Sequence, residues 1–165
     1  MVAALVCQLV LLAYHQVTTY FDLFPFNGAR RYTPMERRAE MGSNVILMGL
    51  APIGFAFDIR PLQIYGAVYY FVLFAFEIII WWIPYFAEPQ GKWRGVYNFA
   101  LSLGTSNFQA GDALSHWLEV HRRLHTGTLS IVPRKPKRVV PNLEHTLLHA
   151  WTLVTAVVSF RAIYA

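Results

Sequence analysis

A chain of 165 residues that is 56% hydrophobic, 16% aromatic and only 14% charged falls well short of the roughly 25% charge of a soluble domain. This excludes an ordinary soluble globule and predicts one integral membrane domain, residues 1–165. The net charge of +5 needs no nucleic acid as partner, because a membrane protein carries such charge for topology and for anionic headgroups. The single cysteine, Cys7, excludes a disulfide framework within the chain.

The first apolar run, residues 2–21, has about the 20 residues that a bilayer crossing needs. No Lys or Arg precedes it and no small-x-small pattern ends it, so it reads as a retained span rather than a signal peptide. DLFPFNGARRY is a turn punctuated by Pro25, Asn27 and Gly28, with Asp22 placed as a cap or as a partner for Arg30 or Arg31. TPME opens the next helix as a capping box, with Thr33 as the N-cap, Pro34 at the first helical position and Glu36 reaching back. Its span covers about residues 38–57, and Gly49, Pro52 and Gly54 predict a kink. A link at residues 58–60 leads into the third span, residues 61–86, whose end, WWIPYF, reads as an interfacial aromatic belt. Residues 87–142 form a cytoplasmic or interfacial segment. Within it, residues 96–104 are apolar but too short to cross, and ALSHWLEVHRRLHTG, residues 113–127, reads as an amphipathic helix ended by Gly127. The last span is residues 143–164. The predicted fold class is an all-α integral membrane protein, a four-transmembrane-helix bundle with an amphipathic cytoplasmic interfacial helix between spans three and four.

Basic residues orient this arrangement. The first link holds four and the long link eight, against Arg60 and Arg161 on the opposite side. The positive-inside rule then puts both links in the cytoplasm and both termini outside, in a multi-pass protein of the cell (inner) membrane. Anionic headgroups are the expected partners of PRKPKR, and other membrane subunits or a second copy of the chain are further candidates.

In that orientation all six histidines gather toward the cytoplasmic side. His145 and His149 open the last span, and His121 and His125 lie on the apolar stripe of the amphipathic helix with Leu114, Trp117, Leu118 and Leu124. Each pair is spaced i, i+4, so its members are neighbours on one helix face. His116 and Glu119 fall on the polar side. The two pairs are expected to meet and hold a divalent metal, Zn, Fe or Mn, because imidazole suits all three. Glu77, Glu144, Glu119 or Asp112 would serve as oxygen donors. Glu77, flanked by FAF and III, is costly in lipid and therefore reads as functional. His15 lies at similar depth and could pair with it, so Glu77 is expected to face either His15 or His145 and His149 of the last span rather than lipid. Glu144 suits the positive end of its helix. Glu77, His15 and Glu144 are the candidate catalytic residues.

P-loop, dinucleotide-binding, CxxC, GxSxG and haem-attachment motifs are absent, as are the adjacent His-His pairs of membrane desaturases. The sequence supports a membrane enzyme acting on a lipid-soluble substrate with a His/carboxylate metal site. Two alternatives are an accessory or cofactor-binding subunit of a larger membrane complex, and a small transporter or channel subunit with Glu77 and His15 as a proton relay.

Overall fold

The computed structural model describes residues 1–87, 94–95, 98–99, 113–136 and 138–164. The apolar stretch at 96–104 falls largely outside the described residues, and Asp112 falls wholly outside them. Among those described, regular structure is helical with no strand. We number the helices α1 (Val2–Tyr20), α2 (Pro34–Ala56), α3 (Arg60–Phe86), α4 (Ala113–His125) and α5 (Leu143–Tyr164). α1, α2, α3 and α5 are each long and apolar enough to cross a membrane.

Local chemistry sets the boundaries. Thr33 and Glu36 form the expected capping box, Glu36 N–H donating to Thr33 Oγ1 at 3.2 Å and Thr33 N–H to Glu36 Oε2 at 2.8 Å. Asp58 takes up a left-handed φ of 55° between α2 and α3, and its carboxylate accepts from Gln63 Nε2 at 2.7 Å. Gly127, at φ 81°, follows the end of α4 as a C-terminal glycine should.

Two prolines interrupt the helices, and each is compensated. Proline has no N–H, so the carbonyl four residues earlier loses its helical donor. Pro52 frees the Met48 carbonyl, which accepts from the Tyr70 hydroxyl at 3.3 Å. Pro84 frees the Ile80 carbonyl, which accepts from Trp117 Nε1 at 3.1 Å. Just before Pro84, α3 widens into a π turn at Ile78–Trp82.

α1 and α3 each pack against both α2 and α5, so α1 and α3 sit diagonally across from each other. Leu11, Met48, Ala51, Tyr70, Leu148 and Ala156 form the shared core. Gly66 lets α3 approach α2 closely, since a Cβ there would stand 2.7 Å from the Ala51 Cβ. Only 28–33% of each apolar window is buried inside the protein, and Val6, Ile46, Val68 and Phe160 all point outward. Outward apolar side chains in such number are costly in water and natural in lipid.

At one end of these helices the first link meets α4. A Cβ at Gly28 would collide with the Leu124 carbonyl at 2.0 Å, so only glycine admits α4 here. Arg31 donates to the Arg123, Leu124 and Thr126 carbonyls, and Arg123 pairs with Glu36. The chain leaving α4 pairs with the same link, Leu129 N–H donating to the Pro25 carbonyl at 2.7 Å, and then hands over to α5 through Leu143 N–H on the Leu129 carbonyl.

Candidate functional site

Trp81 stands where these elements converge. It is only 4% exposed, and four imidazoles surround it: His145 at 4.0 Å between ring centroids, His121 at 5.1 Å, His125 at 5.3 Å and His149 at 5.9 Å. The imidazoles also neighbour one another, His121–His125 at 4.9 Å, His125–His145 at 5.0 Å and His145–His149 at 5.9 Å. Trp81 therefore faces inward rather than acting as a membrane-surface anchor. The reason is helical spacing, for Trp81 is four residues after buried Glu77 and shares its face. Trp82 also turns to polar use, donating through Nε1 to His149 Nδ1 at 3.0 Å.

Hydrogen-bond partners assign the ring protons, because a nitrogen facing a pure donor must carry its lone pair. His121 Nε2 accepts from the Val140 N–H at 3.0 Å, so its proton is on Nδ1. His149 Nδ1 accepts from Trp82, so its proton is on Nε2. His125 Nδ1 lies 3.3 Å from Asn142 Nδ2, a donor, so its proton is also on Nε2. Asn142 is oriented by its other atom: as N-cap of α5, its Oδ1 accepts from the His145 backbone N–H at 3.0 Å. Burial, with the charges of His145 and Arg134, pushes His121 down to about 3. Burial, followed by His145, His121, Arg31 and Arg134, holds His125 well below the ordinary histidine value. These two rings are locked in the neutral form.

His145 is different. Its Nδ1 lies 2.7 Å from Glu144 Oε2 and 2.8 Å from Asn142 Oδ1, both acceptors, so Nδ1 carries the proton and Nε2 is the basic nitrogen. The Tyr14 hydroxyl donates to the Glu144 carbonyl at 2.9 Å. Nearby, His15 Nε2 lies 3.7 Å from Glu40 Oε1, and Glu40 is hydrogen-bonded to Tyr32 and within the field of Glu144 and His145. Burial, then the Glu40 and Glu144 carboxylates, push the Tyr32 phenol well above its ordinary value.

Glu77, 6% exposed, faces α5 and accepts from Thr152 Oγ1 at 2.9 Å through Oε1. Its Oε2 and the His149 Nε2 are buried without a partner among the described residues. Of the two neighbours expected for Glu77, His15 does not pair with it, while the helix that carries His145 and His149 does face it. His15 is on α1 and Glu77 on α3, the diagonal positions, and each finds its partner on an adjacent helix instead. Sequence reasoning overlooked Trp81, Asn142, Thr152 and the His15–Glu40 contact. The N-cap position of Asn142 and the spacing of Trp81 from Glu77 were both legible signals.

The expected metal does not fit these donors as they stand. The lone pairs of His121 Nε2, His125 Nδ1 and His149 Nδ1 each accept a protein N–H, and Trp81 fills the space among the rings. Among the described residues no group of three or more His, Cys, Asp or Glu side chains is arranged to hold a metal ion. Glu119 is exposed, and Glu144 and Glu77 are engaged by His145 and Thr152.

Beside Trp82 an apolar cavity of about 420 Å³ opens between Ile78, Ile83 and Phe86. No known family, curated protein or solved structure matches the chain. What the site can do therefore rests on its own chemistry.

Proposed function

We propose that the chain is a multi-pass membrane enzyme that transfers protons on a lipid-soluble substrate, with His145 as the base and Glu144 as its positioning partner. The observation that carries this reading is the placement of His145 Nδ1 on two acceptors while its three neighbours present lone pairs to protein donors. An imidazole fixed by a carboxylate through one nitrogen offers the other as a proton acceptor, the arrangement that general-base catalysis requires. His145 Nε2 takes a proton from the substrate, the resulting imidazolium exchanges it with solvent, and it then gives one proton to the product, so the step balances without a co-reactant. The apolar cavity whose Trp82 hydrogen-bonds His149 supports a substrate arriving from the lipid phase. The proton-relay alternative is less well supported, since His15 and Glu77 have separate partners.

The membrane arrangement belongs to the same proposal: four spans packed as a bundle, α4 at the cytoplasmic interface, basic links inside and termini outside. It rests on the asymmetry of basic residues and on the meeting of the first link with α4. Reporter fusions after Gly28 and within PRKPKR should read cytoplasmic, and one at the C-terminus external; a cytoplasmic C-terminus would overturn the orientation. For the chemistry, protein in nanodiscs of total membrane lipid, incubated in D2O, should place deuterium in one lipid class. His145→Gln and Glu144→Gln should lose that label. Equal labelling by wild type and His145→Gln would overturn the assignment of the base.

A further inference from the structure

Beside His121 and His125 lies a second cavity, about 360 Å³ in volume. Among the described residues Arg122, Arg134 and Lys135 line it together with His121 and His125, with no carboxylate beside them. Three cationic side chains gathered around one concavity favour an anion between them.

Two further features separate this cavity from a solvated basic patch. The first is His121, 6% exposed. Its Nε2 is fixed by the Val140 N–H, so Nδ1 is a donor, and that donor is buried without a partner among the described residues. A buried unpaired N–H is costly and rare, and an acceptor from outside the protein satisfies it. The second is that cations are held in place by the protein. Arg134 donates to the Thr128 carbonyl. Lys135 Nζ lies 3.5 Å from the Tyr85 carbonyl and 4.3 Å from the centre of its ring. Side chains already held in place lose less freedom when a ligand arrives.

We infer that this cavity is a binding site for a phosphate-bearing ligand, whose oxygens meet the Arg and Lys side chains and accept the His121 Nδ1–H. A phosphate group matches the planar donor fork of arginine and offers enough acceptor oxygens for several donors. The group could belong to an anionic lipid headgroup or to a soluble organophosphate, and the site chemistry is the same for both. This assignment makes no use of His145 as a base and fails or stands separately from it.

The test uses the full chain with 15N-labelled histidine in phosphatidylcholine nanodiscs. Inorganic phosphate should shift the His121 Nδ1–H resonance saturably if the site takes a soluble ligand. Nanodiscs containing phosphatidic acid should show the shifted resonance without added phosphate if it takes a headgroup. Either result supports the site. The double variant Arg122→Gln/Lys135→Gln, at two exposed positions, should weaken half-saturation about tenfold or more. Arg122→Lys/Lys135→Arg should largely restore it. A charge-matched pair on other surfaces, Arg38→Gln/Arg161→Gln, should leave it little changed. No shift with either probe, or equal weakening in the two Gln pairs, would overturn the assignment.

Discussion

The indole of Trp81 lies against the imidazole of His145, centroids 4.0 Å apart and planes 33° apart, while the other three imidazoles around it stand at steeper angles, 57–76°. One side chain thus separates His145, protonated on Nδ1, from three rings whose lone pairs accept protein N–H groups, and it joins α3 to α4 and α5. Trp81→Ala should therefore cost about 3–5 kcal/mol, the range for removing a buried large aromatic. Trp81→Phe, which keeps a ring against His145, should cost less than half of that. Thermal unfolding in detergent measures both. Ring-current shifts of the His145 protons should survive in the Phe variant and vanish in Ala.

Acid should destabilise the protein through the two α4 histidines. His121 is pushed down to about 3 and His125 lies well below 6.5, whereas both take protons near pH 6.5 in the unfolded chain. The unfolded state then binds more protons. The stability contributed by these rings is fully present above about pH 6.5 and is lost as pH falls from there toward 3. Each ring should contribute a slope of about 1.4 kcal/mol per pH unit across that window. His121→Gln, whose amide oxygen can still accept from Val140 N–H, should roughly halve the combined slope. A denaturation midpoint constant from pH 7 to pH 4 would contradict the locked-neutral assignment.

The parts of this architecture that depend on local sequence were legible in it. The long apolar runs, the TPME capping box and the stripe that buries His121 and His125 follow from composition, capping chemistry and a 3.6-residue period. Lateral order did not follow, because nothing local to His15 says whether its helix adjoins α2 or α3. The pairing with Glu40 rather than Glu77 is decided by α1 and α3 lying diagonally. WWIPYF matched the composition of a membrane-surface belt, and only its register relative to Glu77 distinguished an inward Trp81. The ring tautomers were beyond any reading of the sequence. They are set by donors such as the Val140 N–H and Trp82 Nε1, which the long link and the π turn bring to the site.

Besides accepting the His145 Nδ1–H on Oδ1, Asn142 performs two tasks that substitution can separate. Its Oδ1 caps α5 through the His145 N–H, and its Nδ2 faces the His125 lone pair. Asn142→Ala removes both. It should cost about 1 kcal/mol for the cap and a further 1–3 kcal/mol for the stranded buried acceptor. Asn142→Asp keeps the capping oxygen but brings an acceptor to His125 Nδ1, so that ring should switch its proton from Nε2 to Nδ1. 15N chemical shifts distinguish the two tautomers directly. An unchanged His125 tautomer in Asn142→Asp would show that something other than Asn142 holds the ring.

Glu77 and Thr152 test whether the buried carboxylate serves packing or chemistry. The Thr152 hydroxyl lies 2.9 Å from Glu77 Oε1 and 3.0 Å from the Leu148 carbonyl, and its single proton can satisfy only one of them fully. In Glu77→Gln the new amide can donate to Thr152 Oγ1, freeing the hydroxyl proton for Leu148. This nearly isosteric variant should therefore unfold within about 1 kcal/mol of wild type. Thr152→Val strands a buried carboxylate oxygen and should cost about 1–3 kcal/mol. Adding Glu77→Leu removes the stranded group and should recover most of that loss, a coupling that a double-mutant cycle measures. Activity then separates the two roles. Glu77 Oε2 has no partner among the described residues, and a carboxylate buried in an apolar helix at such cost is expected to work on something other than its own fold. Glu77→Gln should accordingly fold, keep its melting temperature and lose most of the deuterium transfer to lipid. A Gln variant that labels lipid at the wild-type rate would reduce Glu77 to a packing partner of Thr152 and leave His145 and Glu144 to act without it.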